Sequence, residues 1–192
     1  MGRTTRHATR SIPLLLLATL VAGCARNPAT GERQLSLIGE RQEIEMGREA
    51  DQQIVASIGL YDDEALQSYV DGLGQRLAAT SERPDLPWTF RVLDDPTVNA
   101  FALPGGFVYI TRGIMGHLTS EAELVGVLGH EIGHITARHS VNQISKQQLT
   151  QLGVGLGMVL VPELQNFGGL ASLGIQLLSL KFSRDDENQA DE

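Results

Sequence analysis

Two histidines and a glutamate in the second half of the chain have the spacing of a metal-dependent hydrolase. The segment His130-Glu131-Ile132-Gly133-His134 matches the pattern H-E-x-x-H. Histidines four positions apart on a helix lie one turn above each other on the same face, so both imidazoles can bind one tetrahedral metal ion. Glu131 reaches the metal-bound water without being a ligand, which is the position of a general base. The alternative interpretation is a surface helix with two solvated histidines.

A zinc site of this kind needs a third protein ligand, and the residues alone leave several candidates. His139 lies nine positions past His130, about 180° round a continuous helix, so we expect it to point away. His117 precedes the helix and is interpreted as a loop histidine. Glu187 and Asp191 are four positions apart near the end of the chain, so one could bind the metal while the other holds the free ring nitrogen of a ligand histidine. A solvated charged face is the alternative for this segment.

The helix that must carry the motif has a recognisable start. Ser120 followed three positions later by Glu123 forms a capping box ahead of an apolar stretch. We therefore expect a helix that starts at Glu121 and runs past His134 to about Asn142.

Upstream, the hydrophobic pattern predicts two helices and then a small sheet. Apolar residues recur at helical spacing over residues 41–58 and 63–79, and alternate with polar residues over 88–92. Residues 98–103 and 107–111 flank a Pro-Gly-Gly turn, which indicates a hairpin. The expected fold class is α+β, mainly helical, with a small antiparallel sheet before the H-E-x-x-H helix.

Downstream, an apolar, glycine-rich segment covers residues 152–161 and is too short to span a bilayer. A buried helix and a flap over a site are both compatible with it. A last helical pattern runs from about Leu170 to Asp191.

The N-terminus has the features of a secretion signal. Residues 1–23 contain three arginines and no acid, then an apolar run of about 11 residues and a small residue. Residues 21–24 also resemble a bacterial lipobox, in which Cys24 is lipidated, and an ordinary signal peptide is the alternative. By the same resemblance, Ala25 rather than Asp after the cysteine favours the outer membrane. We expect a tether over residues 24–40 and anchoring on the periplasmic face of that membrane.

Composition limits the remaining possibilities. The chain has 192 residues, 42% hydrophobic residues, 20% charged residues and one cysteine, which fits one globular domain without an internal disulfide. Removing the three arginines of residues 1–23 changes the formal charge from −8 to −11. An acidic domain of this kind is not expected to bind nucleic acid.

Four segments together resemble one family, the gluzincin metalloendopeptidases that include HtpX-like and CAAX prenyl protease-like enzymes. The active-site helix and the downstream acidic motif carry most of the resemblance, and the others look like the family's preceding strand and the start of its bacterial periplasmic lipoprotein branch. The active-site helix is residues 130–140 and the acidic motif is residues 182–191. The segment like the preceding strand is residues 98–106, and the segment like the start of the lipoprotein branch is residues 27–37.

The resemblance implies a zincin-type domain over residues 41–192 with one Zn²⁺ per chain. It implies that Glu187 is the third zinc ligand beside His130 and His134, that Glu131 is the catalytic base, and that Asp191 supports a ligand. It also implies a substrate-binding edge strand, to which an extended peptide adds as a further strand. The residues of that edge are Asn99, Ala100, Phe101, Ala102, Gly105 and Gly106.

The implied activity is hydrolysis of polypeptides, in particular misfolded or misassembled envelope proteins, with the outer-membrane assembly machinery as a possible partner. The alternative is a lipid-anchored chaperone or assembly module with a structural or incidental zinc site. In the family the last helix continues and later segments commonly supply a His or Arg for the oxyanion. We therefore expect the C-terminal part of the domain to be missing after Glu192.

Overall fold

The computed structural model describes residues 24–158 and 182–191, so the predictions for residues 1–23 and 159–181 lie outside the described residues. The described part is a mainly helical α+β fold, as predicted. Its helices are α1 (Glu40–Ile58), α2 (Glu64–Ala78), α3 (Arg112–Met115), α4 (Glu121–Thr136), α5 (His139–Met158) and α6 (Arg184–Asp191). Its strands are β1 (Cys24–Arg26), β2 (Arg33–Leu35), β3 (Thr89–Leu93), β4 (Ala100–Leu103) and β5 (Phe107–Thr111).

The three-stranded sheet has the order β3-β5-β4. The hairpin of β4 and β5 is antiparallel, as predicted, but β3 pairs with β5 in parallel, so the expectation of an antiparallel sheet is wrong. The physical reason is burial: all five residues of β5 are buried, which favours the central position, whereas β4 is mostly half-buried and occupies an edge.

Helices cover both faces of this sheet. On one face α1 contributes Ala50 and Ile54 to a cluster with Tyr109. On the other face α2 and α4 pack against β3 and β5 in a larger cluster, which includes Val70 and Leu128. Such interdigitated apolar layers contribute most of the stabilisation of a domain of this size. The motif helix α4 is therefore held against the sheet along its apolar face.

The tight turn between β4 and β5 locks the hairpin against α1. Gly105 and Gly106 have φ angles of +83° and +106°, which side chains other than hydrogen disfavour. A Cβ atom on Gly105 would lie 2.6 Å from the Cα atom of Ile44 in α1. Both the backbone angle and the close approach require glycine at this point.

Helix α4 starts where the sequence predicts and ends earlier. The Ser120 hydroxyl accepts a hydrogen bond from the Glu123 amide, which confirms the cap. The predicted extension to about Asn142 is wrong, because Arg138 has a φ of +59° and separates α4 from α5. The Nε of Arg138 donates to Glu43 Oε2 over 2.9 Å, and its Nη2 donates to the Ile38 carbonyl over 2.8 Å. These buried partners hold the break in place.

The segment expected to be a loop or tether contains structure of its own. Strands β1 and β2 form an antiparallel pair, so these positions of the expected tether over residues 24–40 are β-strands. The amide of Leu37 donates to Ser145 Oγ on α5 over 3.0 Å, and Ile38 is fully buried. The segment is therefore packed on the domain. Within the described residues, every helix is too short or too polar to cross a membrane.

Candidate metal centre

Helix α4 presents the two motif histidines on one face. The Nε2 atoms of His130 and His134 lie 3.1 Å apart, and the rings meet edge to face with centroids 4.7 Å apart. The side chain of His134 is 4% exposed and that of His130 is 28% exposed. The i, i+4 spacing thus brings two nitrogen donors to one point, as the sequence predicts.

Helix α6 brings the predicted carboxylates to the same point. Glu187 Oε2 lies 3.4 Å from His130 Nε2 and 3.8 Å from His134 Nε2. Asp191 Oδ1 lies 2.7 Å from His130 Nδ1, on the other side of that ring. The structure therefore places Glu187 with the two nitrogens and Asp191 behind one of them.

Local chemistry explains how α6 begins and how it docks on α4. The Ser183 hydroxyl accepts from the Asp186 amide, and the Asp186 carboxylate accepts from the Ser183 amide, so the two residues cap the helix reciprocally. At the crossing with α4, a Cβ atom on Gly133 would lie 2.6 Å from the carbonyl oxygen of Ala190. The glycine inside the motif therefore allows the backbones to approach closely enough for Glu187 to reach the histidines.

The donor set fits a tetrahedral zinc ion. The three ligand atoms of His130, His134 and Glu187 all lie within 4.8 Å of one another. Zinc–ligand bonds of about 2.0–2.1 Å in a tetrahedron separate the ligand atoms by about 3.3 Å, close to the measured separations. Asp191 accepts the Nδ1 proton of His130, which leaves Nε2 with a free lone pair. These three residues are the one group of this kind within residues 24–158 and 182–191.

Glu131 lies beside this centre and is buried. Burial raises the pKa of its carboxyl from 4.5 to about 7, with the neighbouring His130 opposing the shift and the Glu187 carboxylate adding to it. A pKa near the working pH is what an efficient general base requires.

Burial lowers the pKa of His134 to about 4, with the neighbouring His139 and His130 adding to the shift, and keeps this ring neutral. Phe182 stacks on it, with ring centroids 4.4 Å apart and an interplanar angle of 28°. A neutral imidazole in an apolar setting is the form that binds a metal.

The two other histidines considered as ligands differ in their placement. His117 is exposed in the loop after α3 and is not part of the centre. The expectation that His139 points away is wrong: it is buried, and its Nδ1 lies 2.9 Å from Nδ1 of His134. The reason is the break at Arg138, which ends the helical rotation on which the 180° argument depends.

The predicted substrate edge divides into two parts. Residues 99–102 lie at β4, which packs beside α4 and pairs with β5 alone among the described strands, so β4 is an edge strand in the part of the sheet that the structure describes. Gly105 and Gly106 lie instead in the buried turn, against α1 and Pro87. That residues 99–102 bind an extended peptide stays a prediction.

Sequence reasoning missed several residues around the centre. Phe182 and Gln189 contact the histidines from the α6 side, and Glu43 and Arg138 hold the break after α4. The Ser183-x-x-Asp186 capping box was the available signal for the start of α6. No local pattern predicts the pairing of Glu43 with Arg138, because the two are 95 positions apart.

Comparison with known proteins gives consistent matches. Residues 64–192 match the sequence profile of peptidase family M48. The chain is 35% identical to the beta-barrel assembly-enhancing protease of Yersinia pestis over 159 residues, which cover 78% of this chain and 32% of that protein. It is 30% identical to the protein of the same name from Escherichia coli K12, over 85% of this chain and 35% of that protein. The mitochondrial metalloendopeptidase OMA1 of Arabidopsis thaliana is 32% identical over 83% of this chain and 31% of that protein. The chain thus spans about a third of the length of these relatives.

Proposed function

The chain belongs to peptidase family M48, and on this basis we propose that it acts as a zinc-dependent metalloendopeptidase. The observation that supports this most directly is the convergence of His130, His134 and Glu187 beside a buried carboxyl, Glu131. A purely structural zinc site does not require that carboxyl. Burying it has a cost in stability, because its raised pKa means that the ionised form is disfavoured in the fold.

In this proposal each residue of the centre has a separate task. His130, His134 and Glu187 hold the ion, which when bound polarises the scissile carbonyl and acidifies water. A carboxylate oxygen of Glu131 takes the proton from the attacking water and later delivers it to the nitrogen of the leaving amine. Asp191 holds the Nδ1 proton of His130 and so directs the Nε2 lone pair of that ring toward the ion.

The proposed substrates are polypeptides that lie along the edge strand β4 in an extended conformation. Main-chain hydrogen bonds to an edge strand recognise any peptide with little regard to sequence. Such recognition suits the removal of misfolded or misassembled envelope proteins, and the names of the bacterial relatives refer to the assembly of β-barrels. An interaction with the outer-membrane assembly machinery is part of the same proposal.

We also propose that the protein is anchored through a lipid on Cys24 at the periplasmic face of a bacterial outer membrane. The support is the sequence pattern of residues 1–24. Metabolic labelling with a radioactive fatty acid tests it: the parent should incorporate the label and Cys24→Ser should not. Label that persists in Cys24→Ser would refute the anchor.

The decisive test of the function compares Glu131→Gln with the parent on casein and on an unfolded outer-membrane protein. Glu131→Gln keeps the three ligands and lacks the base, so kcat/KM should fall about 10²- to 10⁴-fold while the zinc content stays at one per chain. Glu49→Gln removes an exposed carboxylate on α1 and is the matched control. Equal cleavage by Glu131→Gln and the parent would refute the protease and favour a chaperone or assembly module.

The identity of the third ligand needs its own measurement. Metal analysis of Glu187→Ala should show a loss of zinc relative to the parent, because one of three donors is removed. Undiminished zinc in Glu187→Ala would exclude Glu187 as a ligand.

A further inference from the structure

We propose that Asn27, Gln189 and His139 form a hydrogen-bonded relay that decides which nitrogen of His134 carries the proton, and thereby sets the metal affinity of the site. This inference rests on the metal centre of the proposed function. The relay residues come from three distant places: the turn between β1 and β2, helix α6 and the start of α5. The N-terminal turn would then act on the centre without touching a ligand.

The outer end of the relay is Asn27, whose side chain has a fixed orientation. Its Oδ1 accepts from the backbone amides of Ala29 at 2.9 Å and Thr30 at 3.4 Å. The side-chain oxygen is therefore committed to the turn, and Nδ2 is the atom that faces α6. This Nδ2 donates to Oε1 of Gln189 over 3.1 Å.

Gln189 transmits this orientation to His139. Because Nδ2 of Asn27 is a donor, the Gln189 atom that meets it must be the oxygen, and Oε1 has a second lone pair. His139 Nε2 lies 2.8 Å from the same Oε1 and must donate to it. A carboxylate oxygen of Asp186, 3.8 Å from that Nε2, also favours a proton there.

His139 then determines the state of His134. With the proton of a neutral ring on Nε2, Nδ1 of His139 can only accept. It lies 2.9 Å from Nδ1 of His134, which must therefore donate. The Nε2 of His134 is left with a free lone pair, aimed at the point where His130 Nε2 and Glu187 also converge. The opposite polarity would put an N–H at the metal position.

Burial shields the two ends of the relay from water, while Gln189 between them is half-buried. His139 is 3% exposed and Asn27 is 6% exposed. Asp191, the partner of His130, is much more accessible, because its side chain is 70% exposed. Water can therefore substitute for Asp191 as the partner of His130. We therefore expect the orientation of His134 to depend on the relay more than the orientation of His130 depends on Asp191.

The first test varies Gln189. Gln189→Met keeps the length of the side chain and lacks the acceptor, whereas Gln189→Glu keeps the acceptor. The dissociation constant for zinc is measured by competition with a chelator, and unfolding of the metal-free chain in urea is measured in parallel. Gln189→Met should bind zinc about 10- to 100-fold more weakly, and Gln189→Glu should stay within about threefold of the parent.

The second test acts at the far end of the relay. Asn27→Asp keeps the acceptor of the turn and loses the donor, so the amide of Gln189 must reverse to offer its NH₂ group. That reversal makes His139 Nε2 an acceptor and moves the proton of His134 to its Nε2. Imidazole ¹⁵N–¹H spectra of metal-free chains labelled at histidine report this directly: the parent should show His134 protonated at Nδ1, and Asn27→Asp at Nε2.

The outcomes separate the relay from simple packing. Unchanged zinc affinity in Gln189→Met would overturn the proposal, and so would equal losses in Gln189→Met and Gln189→Glu, which would indicate a packing role. A parent with His134 protonated at Nε2 would overturn it as well. If the parent itself bound no zinc, the proposed function would fail, while the spectra would still decide the relay.

Discussion

Glu43 is the side chain whose removal should destabilise this domain most clearly, although none of its hydrogen bonds goes to a proposed metal ligand. It is 1% exposed and lies on α1 between two arginines. Its Oε1 accepts from Arg83 Nη1 over 2.7 Å, and its Oε2 accepts from Arg83 Nη2 over 3.1 Å and from Arg138 Nε over 2.9 Å. Glu43→Ala would leave two guanidinium groups, 6% and 10% exposed, without their main counter-charge.

The expected loss follows from this geometry. Removing one partner of a buried ion pair costs about 3–5 kcal/mol, because the remaining charge stays desolvated. Arg83 keeps a contact with the exposed Glu40, and Arg138 keeps the Ile38 carbonyl, which argues for the lower half of that range. For a domain of this size, the melting temperature should fall by about 6–15 °C.

Urea unfolding measures the effect, and the chain offers a control on the same helix. Glu45 pairs with Arg48 at 2.7 Å, but both side chains are more than half exposed, so Glu45→Ala should cost under about 1 kcal/mol. The m value of each variant should equal that of the parent, which shows that the variants and the parent undergo the same unfolding transition. A loss in Glu43→Ala no larger than that in Glu45→Ala would refute the reasoning about buried charge.

Two further predictions concern α4. Gly133→Ala should displace α6, because the new methyl group would meet the Ala190 backbone at 2.6 Å, and its zinc affinity should fall at least about tenfold. Gly126→Ala is the control, because its methyl group faces open space. Its free energy of unfolding should rise by up to about 1 kcal/mol, and its zinc affinity should not change. Equal zinc affinity in the two variants would contradict this. The pKa of the Glu131 carboxyl is about 7 in the folded chain and 4.5 in the unfolded chain. The folded state is therefore most stable below pH 4.5, and its free energy of unfolding falls as the pH rises through 7. In the presence of a chelator, the free energy of unfolding of Glu131→Gln in urea should therefore equal that of the parent at pH 4.5 and exceed it by about 3 kcal/mol at pH 8. A difference that does not depend on pH would exclude the raised pKa.

Features that depend on near neighbours in the chain were predictable. The cap at Ser120, the start of α4 at Glu121 and the shared face of His130 and His134 follow from helix geometry within a few residues. The turn between β4 and β5 follows from its two glycines. The pairing of Glu187 and Asp191 with the histidines was expected from resemblance to a family, and spacing alone left it open.

Features that depend on distant contacts were predicted wrongly or missed. The parallel pairing of β3 with β5 depends on which strand the surrounding helices bury most completely. The end of α4 depends on a carboxylate 95 positions away in the chain. A helical projection has no information about either, because it assumes that the backbone continues with the same rotation.

By itself the sequence therefore determined the chemical groups of the centre and the helix face that presents two of them. The tertiary structure decided the rest: α6 approaches α4 at Gly133, and the break at Arg138 turns His139 back onto His134. The physical reason is the range of the forces. The i, i+4 geometry is set by backbone hydrogen bonds within one turn, whereas these placements are set by buried charges and close backbone packing between segments far apart in the chain.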